Sequence, residues 1–261
     1  MFDDYSNVYY HGDTGWLIVG LVILFGSVGS LFPQMKMIIR KRTSHGLSIV
    51  SIVITHLCQT SILMNVLCLR SDQFIGANHC ESFIRAIPRL MTVINSVSYF
   101  SAYSAVLLLT MIFQPIDHDQ SSVMPLKYLA KKHIYIEILI VYILMVPALL
   151  LYTGVNYGFF SSEYKFFGKV MGVFSMTIVV VQYLPQMITT YKLRDSGSLS
   201  LTMLIMQAPG SIMNCLFLAI GQKENITTWI SVLISSIQQF ILIIMIMKFR
   251  CEKKSDVSQI Y

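Results

Sequence analysis

The stretches LFPQMKMIIRKRTSHGLSI (residues 31–49) and YLPQMITTYKLRDSGSLSL (residues 183–201) are two versions of one segment. Each ends a long apolar run with a proline-glutamine pair, Pro33-Gln34 and Pro185-Gln186, and passes through a short basic turn into a second apolar run. At a fixed offset of 152 residues, positions 33–48 and 185–200 agree at seven of sixteen places without a gap. Self-similarity at a fixed offset marks a chain built from two like halves.

Composition places both halves in a bilayer. Apolar residues make up 55% of the 261-residue chain and charged residues 12%, about half the charged share of a soluble domain; mean hydropathy is +0.65. The pI near 9.0 does not point to nucleic acid, because the basic residues are scattered over several short loops. Asp3, Asp4 and Asp13 stand where a cleavable signal would carry positive charge. The five cysteines show no metal spacing and no paired framework, and no cofactor is expected.

A span needs about 20 mainly apolar residues. Seven stretches qualify: 16–39, 47–69, 86–114, 134–155, 166–191, 199–220 and 226–249. If the loops after spans 1, 3 and 5 and the C-terminal tail share a side, that side holds thirteen Lys and Arg against six on the other. The positive-inside rule then puts the C-terminus in the cytosol and the N-terminus outside or in a lumen. Span 5 repeats span 1 four helices later, so both cross in the same direction and the duplication is parallel.

The expected fold is all-α: seven transmembrane helices, as two parallel three-helix bundles joined by a connector helix. The expected parts are a luminal tail (1–15), a first repeat (16–114), a loop with the connector (115–165), a second repeat (166–249) and a cytosolic tail (250–261).

Two proline-glutamine pairs, each followed by a basic turn and then Gly46-Leu47-Ser48 or Ser198-Leu199-Ser200, resemble the PQ-loop repeat family. Its members include lysosomal cystine and cationic amino-acid carriers, and the sugar carriers of SWEET type are more distant relatives. The resemblance covers residues 16–249. It implies a transporter of a small polar solute, an amino acid or similar metabolite, in a lysosomal, vacuolar or other endomembrane. The prolines and glutamines at 33, 34, 185 and 186, matched weak points in two like halves, are expected to be hinge or gating residues. Polar positions nine residues after Gly46 and Ser198 would face the solute; here they are Thr55 and Gln207. The cystine carriers have a proton-accepting aspartate where this chain has Gln207. The alternative is a non-transporting protein of the same architecture, such as a sorting receptor or a glycolipid-utilisation factor.

Elementary chemistry supports a hinge. Proline removes one helical donor and displaces the carbonyl four residues earlier, here Gly29 and Val181, and Gln34, Gln186, neighbouring side chains or water are available to satisfy it. His56 is the one ionisable group near mid-span, readable either as a proton-coupling site or as a structural histidine. Asn95 and Tyr99 on span 3, Asn214 on span 6 and Gln239 on span 7 suit a polar cavity, and suit interhelical hydrogen bonds equally. Gly168 and Gly172 read as close helix packing. Nothing in the chain forms a nucleophile motif, a pair of intramembrane carboxylates or a metal-spaced cluster, so an enzyme is not expected.

Overall fold

The computed structural model describes residues 14–71, 83–113, 125–159, 161–195 and 197–258. The expected N-terminal tail up to residue 13 and Cys80 lie outside the described residues, as do the side chains of Arg85, Arg89, Lys127, Lys131, Lys132 and Glu137. The described residues contain helices and no strand: α1 (Thr14–Lys41), α2 (Ile49–Leu69), α3 (Phe83–Ile112), α4 (Pro125–Tyr157), α5 (Ser162–Gln182), α6 (Leu184–Leu193), α7 (Leu201–Leu216) and α8 (Ile226–Ser258). A π-helical turn, Phe217–Gly221, closes α7.

Six segments are long and apolar enough to cross a membrane: Leu17–Lys41, Ile49–Leu69, Leu90–Ile112, Ser162–Leu193, Leu201–Gly221 and Ile226–Glu252. The fourth expected span falls on α4, whose described apolar part is the shorter Tyr142–Tyr157. Helix α4 starts earlier than the apolar run, because Pro125 suits a first helical position, and it continues unbroken through Pro147.

Helix packing follows the duplication. Helix α3 lies against α1 and α2, and α8 lies against α5 and α7. Helix α1 runs along α7, and α5 along α2; each of these contacts becomes the other under the 152-residue offset. The α2–α5 seam is tight because small residues let the backbones approach. A Cβ on Gly168 would stand 2.5 Å from Cys68 Cβ, and one on Gly172 would stand 2.6 Å from Asn65 Nδ2. The side chain of Asn65 crosses this seam, donating to Gly168 O at 2.7 Å and accepting from Thr228 Oγ1 at 2.9 Å.

The two prolines behave differently. Pro33 sits inside an uninterrupted α1, whereas the fifth span breaks at Tyr183 into α5 and α6, with Pro185 in the first turn of α6. Around the break the carbonyls find other partners: Val181 O accepts from Tyr183 N–H, and Gln182 O from Ser51 Oγ at 2.5 Å.

Candidate functional site

The glutamines of the PQ pairs reach across to the opposite repeat instead of back to their own helix. Gln34 Nε2 donates to Ser198 O at 2.9 Å, and its Oε1 accepts from Ser200 N–H at 2.7 Å. Gln186 Nε2 donates to Gly46 O at 3.0 Å, and its Oε1 accepts from Ser48 N–H at 2.8 Å. Positions 46 and 48 correspond to 198 and 200, so the clamp is reciprocal. Both glutamines are buried.

Ser48 and Ser200 are also the helix caps of the next span. Each hydroxyl accepts from an amide three residues on, Ser51 at 3.3 Å and Met203 at 3.2 Å, as an N-cap serine does. Arg42 and Arg194, again equivalent, adopt left-handed backbone with φ of 49° and 50°, uncommon outside glycine. The two turns touch where Gly46 (φ +85°) meets Gly197 (φ +56°): a Cβ on either would lie 2.7 Å from the other's Cα. Ser198 N–H to His45 O at 2.8 Å, and Lys41 Nζ to Gly197 O at 2.7 Å, complete the seal. This end of the molecule is shut.

Behind the seal lie two cavities in series. The one next to the clamps is nearly all apolar, lined by Leu31, Leu47, Ile52, Val106, Leu199 and Met203 along with Gln34, Gln186, Ser51 and Thr55. The second, further from the PQ turns, is polar. Its wall carries six carboxamides, Gln59, Asn95, Gln182, Gln207, Asn214 and Gln239, with hydroxyls from Thr92, Ser96, Ser211 and Tyr99. Among the described residues no Asp, Glu, Lys, Arg or His lines it.

Many of these polar atoms are buried without a protein partner. They are both amide atoms of Asn95, the Oε1 atoms of Gln182, Gln207 and Gln239, Asn214 Oδ1 and Thr92 Oγ1. Buried polar groups are normally satisfied, and leaving one unpaired costs about 1–3 kcal/mol. Their convergence on one cavity is the arrangement expected where a polar solute supplies the missing hydrogen bonds.

Tyr103 and Tyr183 stand between the cavities. Gln207 Nε2 contacts Tyr103 Oη at 2.5 Å, and Gln239 Nε2 contacts Tyr183 Oη at 2.8 Å. Tyr99 stacks on Tyr103, with ring centroids 5.7 Å apart.

Of the expected solute-facing residues, Asn95, Tyr99, Gln207, Asn214 and Gln239 line the polar cavity together, while Thr55 lines the apolar one and spends its hydroxyl on Ser51 O. His56 lines neither. Its ring lies between α2 and α3, with Nε2 2.8 Å from Ser104 Oγ and an edge contact to Phe100. Gln59, Thr92 and Gln182 were not anticipated. Gln59 lies one helical turn beyond Thr55, and Gln182 lies three residues before Pro185, at the break.

At the far end from the PQ turns an ion pair ties the halves. Arg70 contacts Glu224 at 2.7 Å and donates to Gln222 O at 2.9 Å, with side chains 15% and 3% exposed. Arg70 and Gln222 are themselves equivalent under the offset.

These features define a multi-pass membrane protein with an internal duplication, two reciprocally clamped turns and a polar cavity between the halves. Residues 15–75 and 167–227 each match the PQ loop repeat, so the chain carries two copies of that repeat. A curated protein of Schizosaccharomyces pombe, itself described as uncharacterised, is 32% identical over 85 residues; the match spans 33% of this chain and 28% of that protein. The fold is similar to that of a eukaryotic SWEET transporter, with a TM-score of 0.48 and 12% identity over 95% of this chain and 99% of that one.

Proposed function

We propose that this protein carries a small polar solute across an endomembrane by rocking its two repeats about the cavity between them. The reading rests chiefly on one observation: a cavity on the seam between the repeats, rich in unpartnered carboxamides and shut at the PQ end by the hydrogen bonds of Gln34 and Gln186. The solute belongs to the class that includes amino acids and similar metabolites. Neutral carboxamides recognise its hydroxyl, amide or ammonium groups by hydrogen bonding.

The working arrangement is two parallel three-helix repeats, with α4 as connector. The matched contacts α1–α7 and α5–α2, and the central place of α3 and α8 in their halves, support it. Alternating access then means parting the PQ turns while the Arg70–Glu224 tie at the opposite end holds, and the reverse. The charge imbalance of the loops favours a luminal N-terminus and a cytosolic C-terminus, and the family resemblance favours a lysosomal or vacuolar membrane.

The test is uptake into proteoliposomes containing the full chain, screened over amino acids and sugars with and without an inward proton gradient. The Gln207→Ala protein is run beside the parent. Saturable uptake by the parent, weakened in affinity by the substitution, is the expected result. Absence of uptake across the panel, or native affinity in Gln207→Ala, counts against the reading or against that residue's place in it.

A further inference from the structure

Tyr183 occupies an unusual position: it is at once the last cap of α5 and the residue before α6, at the break just ahead of Pro185. Its hydroxyl is held by Gln239, a wall residue of the polar cavity, and its ring faces the apolar chamber. Tyr103 mirrors this on α3, held by Gln207 and lining both cavities. Both tyrosines are buried. The carboxamides that tie them to the cavity wall each keep a second atom, Oε1, without a protein partner, and the two hydroxyls also bond each other, with Ser235 of the wall joining at Tyr183.

We propose that Tyr103 and Tyr183 are the inner gate of the transport path, and that the solute opens it through Gln207 and Gln239. The proposal rests on the transport reading above. A carboxamide turned toward a solute hydroxyl or amine gives up its bond to the tyrosine hydroxyl. The freed phenol then follows the chain around it. For Tyr183 that chain is the hinge itself, so release at the cavity and bending at Pro185 are one motion. The apolar chamber beyond offers a polar solute almost nothing to bind, so it is a transit space and not a second site. Opening the gate joins it to the polar cavity. The clamps of Gln34 and Gln186 are then the last barrier. Gln239 and Gln207 thus act as coupling residues, shared between solute and gate, while the tyrosines position the path and need not touch the solute.

Accessibility tests this without a known solute. In the full chain, with cysteines 68, 80, 215 and 251 replaced by serine, the native Cys58 reports on the polar cavity that it lines. Thr55→Cys, in a further background with Cys58→Ser, reports on the apolar chamber. A methanethiosulfonate ethyl-ammonium reagent, applied from the side opposite the PQ turns, is expected to reach the buried Cys58 only when the Arg70–Glu224 end parts, and to react more slowly still with Thr55→Cys. Tyr103→Phe and Tyr183→Phe each remove a gate hydroxyl, bonded to its carboxamide and to the other tyrosine, which shifts the gate equilibrium by about tenfold or more. They are expected to speed modification of Thr55→Cys by that factor and to leave the Cys58 rate unchanged. Gln239→Leu, which keeps the tyrosine and removes its partner, is expected to do the same.

Unchanged Thr55→Cys rates in all three variants overturn the gate. So does an equal rise at both cysteines, which is general loosening. A protein that gates in this assay but carries no solute in proteoliposomes refutes the transport reading and leaves the gate intact.

Discussion

Substituting Gln34 by Met keeps the length and most of the volume of the side chain and removes both of its hydrogen bonds to the opposite turn. In the shut state Ser198 O and Ser200 N–H then lose their partners. In the open state these groups face water in parent and variant alike, so the substitution weakens the shut state selectively. Two net hydrogen bonds at about 1 kcal/mol each give about 2 kcal/mol. At 1.4 kcal/mol per decade that is roughly a thirtyfold shift toward the open PQ end. Gln186→Met removes the equivalent pair on Gly46 and Ser48, and the double variant approaches twice that free energy to the extent that the clamps are independent. Spin labels on His45 and Lys192, both exposed, place a distance ruler across the two turns, read by double electron–electron resonance in a cysteine-free background. The expected result is a growing long-distance population from parent to single to double variant. Distance distributions of the double variant that superimpose on those of the parent would refute the clamp as the closing force.

Pro185→Ala restores an N–H for Val181 O and favours a continuous fifth span through Tyr183; kcat in proteoliposome uptake is expected to fall more than KM changes, and Pro33→Ala to do less, because α1 is already unbroken. Glu224→Gln strips Arg70 of its counter-charge at a site where neither side chain is more than 15% exposed; thermal unfolding of the solubilised protein should show a loss of about 3–5 kcal/mol, and a clearly smaller loss when Arg70→Gln is added. His56→Gln is expected to leave the response of uptake to a proton gradient unchanged, since the ring sits between α2 and α3 on Ser104, away from the polar cavity. Loss of gradient-driven accumulation with solute exchange retained would instead make His56 the proton site.

Much of the fold can be read from residues 31–49 and 183–201, because duplication makes equivalent positions share an environment. The matched Ser48 and Ser200 caps and the matched backbone of Arg42 and Arg194 are that rule at work. The bonding of Gln34 is not legible in the same way. Its partners lie 164 and 166 residues along the chain, so a local reading assigns it to its own kinked helix. Nor does the proline alone tell which span breaks: Pro33 and Pro185 are both followed by Gln-Met, yet only the fifth span gives way. In the cavity, Asn95, Gln207, Asn214 and Gln239 were legible as polar residues in apolar helices, while Gln59 and Gln182 were not. Asn65 is equally polar and equally deep, yet it spends both its amide atoms on α5 and α8. Whether an amide meets a cavity or a neighbouring helix depends on rotation about the helix axis, which packing sets.

The reciprocal clamp also constrains how the chain is made. When the first repeat has entered the membrane, the main-chain groups of its turn at Gly46 and Ser48, and the amide of Gln34, have their partners on residues not yet synthesised. Those partners arrive only with residues 186–200. Until then the turn has to stay at the water interface, where solvent can bond to it, and α2 can pack on α5 only after residues 162–182 are made. The first half is thus an assembly intermediate waiting for its complement, and a stop between the repeats leaves a fragment with a sticky, polar edge. Two such fragments carry both halves of a clamp, Gln34 on one and Gly46 to Ser48 on the other.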